Sequence, residues 1–169
     1  ADPRFAEELR GVAQGSGVPE ETLQFAHMIP VLDSFSCSSI AVWGPATGNG
    51  DLYQTRDLDW TLDLGAQDFP CIVIYVPDKG VPHINFTFAG VVGCQAGMNL
   101  AGITLAEIGD SPSSDWPYDL NGVHFMSMFR NMLYDARRLS MAEDILTGAT
   151  RIKKYHYVIG DGLWEHRAV

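Results

Sequence analysis

Ser38-Ser39-Ile40-Ala41-Val42-Trp43, then Gly48-Asn49-Gly50-Asp51, then Leu52-Tyr53-Gln54-Thr55-Arg56 read in succession as strand, turn and returning strand. The outer runs hold β-branched and aromatic residues, and the Asn-Gly pair between them supplies the turn chemistry of a hairpin. The pattern recurs downstream. Cys71 to Val76 and His83 to Val92, separated by Pro77-Asp78-Lys79-Gly80, form a second hairpin. Ala96 to Asn99 and Ile103 to Ile108, joined through Ala101-Gly102, form a third. Tyr155 to Ile159, the turn Gly160-Asp161-Gly162 and a final run from His166 to Val169 add a fourth pairing. Short strands at this density predict an antiparallel sheet.

Helices flank the strands. Arg4 to Val12 is a short amphipathic stretch stopped by Gly15 and Gly17, and Pro19-Glu20-Glu21 opens a second helix that Pro30 breaks or kinks. Proline at a first helical position and acids in the first turn both suit a helix N-terminus. Val123, Met126, Phe129, Met132 and Leu133 recur at helical spacing and mark a core-facing stripe. Ser140-Met141-Ala142-Glu143 fits a capping box, opening a helix to about Leu146 with Gly148 as its stop. Helices on one face of an antiparallel sheet give an α+β fold.

The 169 residues suit one domain with a real core, at 46% hydrophobic and 19% charged. A net charge of −10 argues against a nucleic-acid surface, because phosphate binding needs clustered Lys and Arg. Arg137-Arg138 and Arg151 to Lys154 read as solvated helix ends. No apolar run is long enough for a membrane span. Cys37, Cys71 and Cys94 are an odd count without a CxxC pair, which argues against a disulfide framework and a standard zinc site. Cys71 and Cys94 read as inert buried thiols. His27, His83, His124, His156 and His166 show no metal spacing, so no metal or cofactor is expected. Asn85-Phe86-Thr87 matches a glycosylation sequon, which would matter in a secreted or lysosome-like compartment; a cytoplasmic location is equally compatible.

The chemistry concentrates in the first hairpin. Cys37 begins one strand, and Arg56-Asp57-Leu58-Asp59-Trp60 ends its partner, so pairing sets a guanidinium and a carboxylate beside a thiol. Arg56 favours a thiolate, and Asp59 is suited to hold an ammonium. A structural ion pair beside a buried Cys fits the same residues.

The segment from Cys37-Ser38 to Arg56-Asp57-Leu58-Asp59-Trp60 resembles the N-terminal-nucleophile (Ntn) family that includes penicillin acyltransferase and choloylglycine hydrolase, and is closer to the acyltransferase-like branch. Gly97-Met98-Asn99-Leu100-Ala101-Gly102-Ile103 and Ile159-Gly160-Asp161-Gly162 resemble further family motifs, in order, over roughly residues 36 to 165. The resemblance implies an αββα sandwich, of which the chain would be only part. Residues 1–36 would form a propeptide or α-subunit, and 37–169 the first part of the catalytic domain. It also implies self-cleavage between Ser36 and Cys37, which frees an α-amine to act as base for its own thiol. Cys37 would then attack a small-molecule N-acyl amide through an acyl-thioester, with Arg56 orienting the thiol and Asp59 holding the amine. Water as acceptor gives hydrolysis and a second amine gives acyl transfer. The remainder of the domain, as a second chain or missing segment, would be its partner.

Departures from the family pattern are visible. Asp57 stands where many relatives have Asn, and Glu107-Ile108-Gly109 replaces an oxyanion-hole Asn, so donation from that side chain is not expected. Trp60, Asn99 and Glu107 are candidate substrate contacts; Asn99 also suits a turn and Glu107 a solvated strand end. Trp116 is another candidate for an acyl pocket, whereas Trp43 belongs to the core by default. The rival readings are a catalytically silent homologue serving as a binding or structural module, and a papain-like hydrolase pairing Cys37 with His83 or His124.

Overall fold

Alternation of side chains across a strand decides the layering. In β1 (Ser36–Gly44) and β2 (Gly50–Asp59), Cys37, Ser39, Ala41, Leu52, Gln54, Arg56 and Leu58 are partly covered, while their neighbours along each strand are exposed. The computed structural model describes residues 2–33, 35–109 and 118–169. Trp116, the further candidate for an acyl pocket, lies outside the described residues.

The strands β1 and β2 form a two-stranded antiparallel sheet, with Cys37 opposite Leu58 and Ser39 opposite Arg56. The other six are β3 (Pro70–Tyr75), β4 (His83–Phe88), β5 (Ala96–Asn99), β6 (Ile103–Ile108), β7 (His156–Asp161) and β8 (Arg167–Ala168). They form one antiparallel sheet in sequence order, as simple hairpin connections dictate. On one face lie α4 (Phe125–Asp135) and α5 (Leu139–Gly148); the β1–β2 hairpin lies against β6, β7 and β8. The chain is thus α+β.

The core sits between the helices and the six-stranded sheet. Phe125, Phe129, Met132 and Leu133 of α4 meet Ile103 and Leu105 of β6 and Ile159 of β7 there. The N-terminal helices α1 (Pro3–Ser16), α2 (Glu20–His27) and α3 (Ile29–Leu32) precede the first sheet. Gly17 takes a left-handed φ of 74° and ends α1, and Pro30 stands in the first turn of α3.

Several expectations change. The second hairpin ends at Phe88, because Ala89-Gly90 turns the chain, with Gly90 at φ 84°. Helix α5 starts at Leu139 after Arg138 with no side-chain cap, so Ser140 lies inside the first turn and Gly148 belongs to the helix. Trp43 is 39% exposed near the irregular end of β1 and is not a core residue. Lys153 is buried within 5.2 Å of the Tyr155 ring rather than solvated. Cys94 is buried, which pushes its thiol up to about 12, whereas Cys71 is only partly covered. Asn85, the sequon residue, is fully buried on β4 and donates to the Gly93 carbonyl at 3.0 Å, leaving no room for a glycan. No helix among the described residues is long and apolar enough to cross a membrane.

Candidate active site around Cys37

The register of the first hairpin sets Cys37 and Arg56 on one face, one diagonal step apart, within reach of a long side chain. The Arg56 guanidinium donates from Nη2 to the Cys37 sulfur at 3.1 Å. The same Nη2 donates to Glu107 Oε2 at 3.1 Å, and Arg56 Nε donates to the Glu107 carbonyl at 3.1 Å. The thiol itself points at Glu107 Oε2, 4.0 Å away. Three side chains from three strands therefore converge: a thiol, a cation and a carboxylate.

Burial governs the electrostatics. The Arg56 side chain is 11% exposed and that of Glu107 not at all, so their ion pair is shielded from water. Burial raises Glu107 to about 7, against the pull of the Arg56 charge and hydrogen bond. Near neutrality the carboxyl thus exists in both forms, one accepting a proton and one donating. The expectation that this side chain has no donor to offer holds only for its ionised form. Its Oε1 is buried with no partner among the described residues. Burial likewise pushes the Cys37 thiol up; a backbone hydrogen bond from Gly109 and the Arg56 charge oppose the shift, and Glu107 adds to it.

Gly109 has a steric role as well. A Cβ there would lie 2.7 Å from the Phe35 carbonyl oxygen, so only glycine lets the chain ahead of Cys37 pass this closely to the end of β6. Asp59 pairs with Ser36 in the ladder, on the exposed face, and its carboxylate makes no hydrogen bond among the described residues. The nitrogen it is expected to hold is a peptide nitrogen in the unbroken chain.

Trp60 follows directly. Its indole N–H donates to Asp33 Oδ2 at 2.8 Å, and its ring lies 5.6 Å from that of Phe35. Asn99 stands apart from this cluster. Its amide donates to the Leu133 and Ala136 carbonyls, and its oxygen accepts from the Ala101 and Ile103 N–H groups. That full set fits the alternative reading of Asn99 as a turn residue. Glu107 is no solvated strand end: it is fully buried.

The histidines proposed as papain-like partners are engaged elsewhere. His83 stacks on Tyr75 at 4.8 Å and holds the Val81 carbonyl through Nδ1 at 2.8 Å. His124 caps α4 by accepting from Met126 N–H, and burial lowers it to about 4. The Cys37 sulfur meets Arg56 and Glu107 instead.

One network escaped the sequence reading. Arg130 of α4, fully buried, pairs with Glu8 of α1 at 2.9 Å and donates to the hydroxyls of Tyr75 and Tyr134. Its guanidinium also lies 3.9 Å from the centre of the Tyr75 ring. An Arg inside an apolar helical stripe was the available signal.

Comparison with known proteins places the chain beside relatives much longer than itself. It is 31% identical over 135 residues to Protein dcd1B of Dictyostelium discoideum, an alignment covering 78% of this chain and 27% of that protein. Protein dcd1A of the same organism is 33% identical over 102 residues, covering 55% of this chain and 23% of that protein. An uncharacterized protein of Archaeoglobus fulgidus is 23% identical over 181 residues, covering 94% and 30%. The chain thus spans less than a third of the length of each of these relatives. No family model matches it.

Proposed function

We propose that this chain is the first part of a cysteine Ntn amidase or acyltransferase, activated by scission between Ser36 and Cys37. The observation that carries the reading is the convergence of Cys37 Sγ, Arg56 and the buried Glu107 carboxylate within 4.0 Å at the start of an inner strand.

The first step is self-cleavage. Cys37 sulfur attacks the Ser36 carbonyl carbon, and its proton goes to Glu107, because the α-amine is still locked in the peptide bond. The bond from that carbon to the Cys37 nitrogen then breaks, the nitrogen takes the proton, and a thioester remains. Water hydrolyses it, leaving a Ser36 carboxylate and a free amine on Cys37. In the mature site that amine accepts the thiol proton. The sulfur attacks the substrate amide, the leaving amine takes the proton, and an acyl-thioester forms. Water converts it to the free acid; a second amine converts it to a new amide. Arg56 holds the sulfur, and Asp59 lies one ladder position away to receive the new ammonium.

We read the fold as part of an αββα sandwich. The helices, the six-stranded sheet and the β1–β2 hairpin supply three successive layers. Ile40, Val42 and Tyr53 on the outer face of the hairpin are exposed and apolar, as expected of a face that a further helical layer covers. Ile72, Ile74, Phe86 and Met98 on the main sheet are exposed as well, where further strands beside β2 would lie. The rest of that domain would complete the site.

Intact-mass measurement tests the proposal. Active protein should show a break between Ser36 and Cys37, and Cys37→Ala should abolish it. A thiol-directed acylating probe should label Cys37, and a panel of N-acyl amides should reveal turnover. Fully active protein with an unbroken chain would overturn this mechanism. An unbroken, unlabelled and inactive protein would point to a silent homologue.

A further inference from the structure

Among the described residues, two buried hydroxyls and two buried carboxylate oxygens lack a hydrogen-bond partner: those of Thr87 and Tyr157, and Glu107 Oε1 and Asp161 Oδ2. Buried polar atoms are almost always satisfied, so each of these asks for a physical reason. The sheet register joins two of them. Tyr157 on β7 stands directly opposite Glu107 on β6. Side chains on one rung leave the sheet on the same face, with their Cβ atoms about 5 Å apart. Thr87 faces Cys71 on the far strand of the sheet. Asp161 faces Ile103 and Arg167, and the Nε of Arg167 is given to Glu165.

The two groups are chemically complementary. Burial pushes the Tyr157 phenol up, so it keeps its proton and stays a donor; the Arg151 charge opposes that shift and the Glu107 charge adds to it. The phenol ring lies 5.4 Å from that of Phe129 and 6.4 Å from that of Tyr155, which holds its hydroxyl inside the protein. Glu107 spends only one of its oxygens. Oε2 accepts from Arg56 at 3.1 Å and faces the Cys37 sulfur at 4.0 Å. Lys153, ahead of β7, also acts on this carboxyl, with its ammonium near the Tyr118 and Tyr155 rings. Neither cation bonds Oε1.

We infer that Tyr157 is a positioning residue for Glu107: its hydroxyl donates to Oε1 through one bridging water, which fixes the carboxyl with Oε2 toward the thiol and favours its ionised form. The two oxygens do not bond each other directly, and a buried water is the ordinary link between such a donor and acceptor. The link itself is independent of any reaction. Its use rests on the proposed amidase reading, in which Glu107 accepts the Cys37 proton.

The test reads the carboxyl before it reads the chemistry. Full-length Cys37→Ala protein, which cannot cut itself, is labelled with carbon-13 at its glutamate carboxyls and titrated by NMR. Loss of one signal in Glu107→Gln identifies Glu107. Its midpoint should rise by about one pH unit with Tyr157→Phe, because the ionised form loses a donor. Tyr155→Phe removes the neighbouring hydroxyl that donates to the Pro30 carbonyl, and should leave the midpoint where it is. Fluorotyrosine at position 157, a stronger donor of nearly the same shape, should lower the midpoint and guards against a Phe variant that fails to fold. With Cys37 restored, Tyr157→Phe should slow scission about tenfold on the acidic limb of the pH profile and far less on its plateau. A midpoint that stays or falls with Tyr157→Phe, or rises equally with Tyr155→Phe, overturns the assignment whether or not the chain cuts itself. A midpoint that moves as stated, in protein that neither cuts itself nor turns over amides, upholds Tyr157 and refutes the amidase reading alone.

Discussion

At the scale of single residues, Glu107 decides most. A carboxyl buried at 0% exposure with a cation on one oxygen, and no hydrogen-bond partner for the other among the described residues, is costly to ionise, and that cost lifts it to about 7. Its folded value is above that of a free glutamate, so the folded state binds the proton more tightly than the unfolded chain. The contribution of this one carboxyl to stability is therefore full below about pH 4 and is lost as pH rises toward about 7, an effect of roughly 3 kcal/mol. Urea unfolding at a series of pH values should show that slope, and Glu107→Gln should flatten it. The same variant should slow the proposed scission at Ser36 by about 10²-fold or more, since in that scheme the thiol loses its proton acceptor. Wild-type scission kinetics in Glu107→Gln would remove Glu107 from the first step. The contact with Cys37 spans seventy positions and two sheets, and no local pattern reveals such a pairing. Arg56 was legible because the hairpin that holds it closes within nineteen residues of Cys37.

Secondary-structure elements were read with more success than their junctions, for a physical reason. Period-two alternation punctuated by Gly, Asn and Pro located every strand of the two sheets, and helical spacing located α4. Ends went astray where tertiary contacts overrule local propensity, as at the start of α5, where Leu139 enters the core ahead of the predicted cap. The β5–β6 hairpin illustrates both sides. Its strands were evident, and Gly102 at φ 93° permits its turn, yet the task of Asn99 there depends on a helix that arrives thirty-four residues later. One amide ties that turn to the C-terminal end of α4, with two hydrogen bonds to the helix end and two to the turn. Asn99→Ala should therefore cost about 2–4 kcal/mol in chemical denaturation, from stranded backbone groups at a buried site. Labelling of Cys37 in the folded variant should be unchanged. Selective loss of labelling at wild-type stability would restore Asn99 to the active site.

For the whole molecule, the proposed scission bears on residues 2–33 and 35–36. Arg130 is fully buried, and Glu8 is the carboxylate that meets it. Arg4 adds a bond to Asp135 at 2.9 Å and lies over the Tyr134 ring, and Tyr155 donates to the Pro30 carbonyl at 2.8 Å. Departure of the N-terminal piece would leave a guanidinium beneath the surface with two phenols for company, and would strip Phe35 from the core. The piece should therefore stay as a bound subunit, co-eluting with the larger fragment in native gel filtration and separating only in denaturant. Glu8→Ala removes the carboxylate and should weaken the attachment by roughly 3 kcal/mol, about a hundredfold in the dissociation constant. Cleaved wild-type protein that sheds the piece under native conditions would show that these contacts do not hold it.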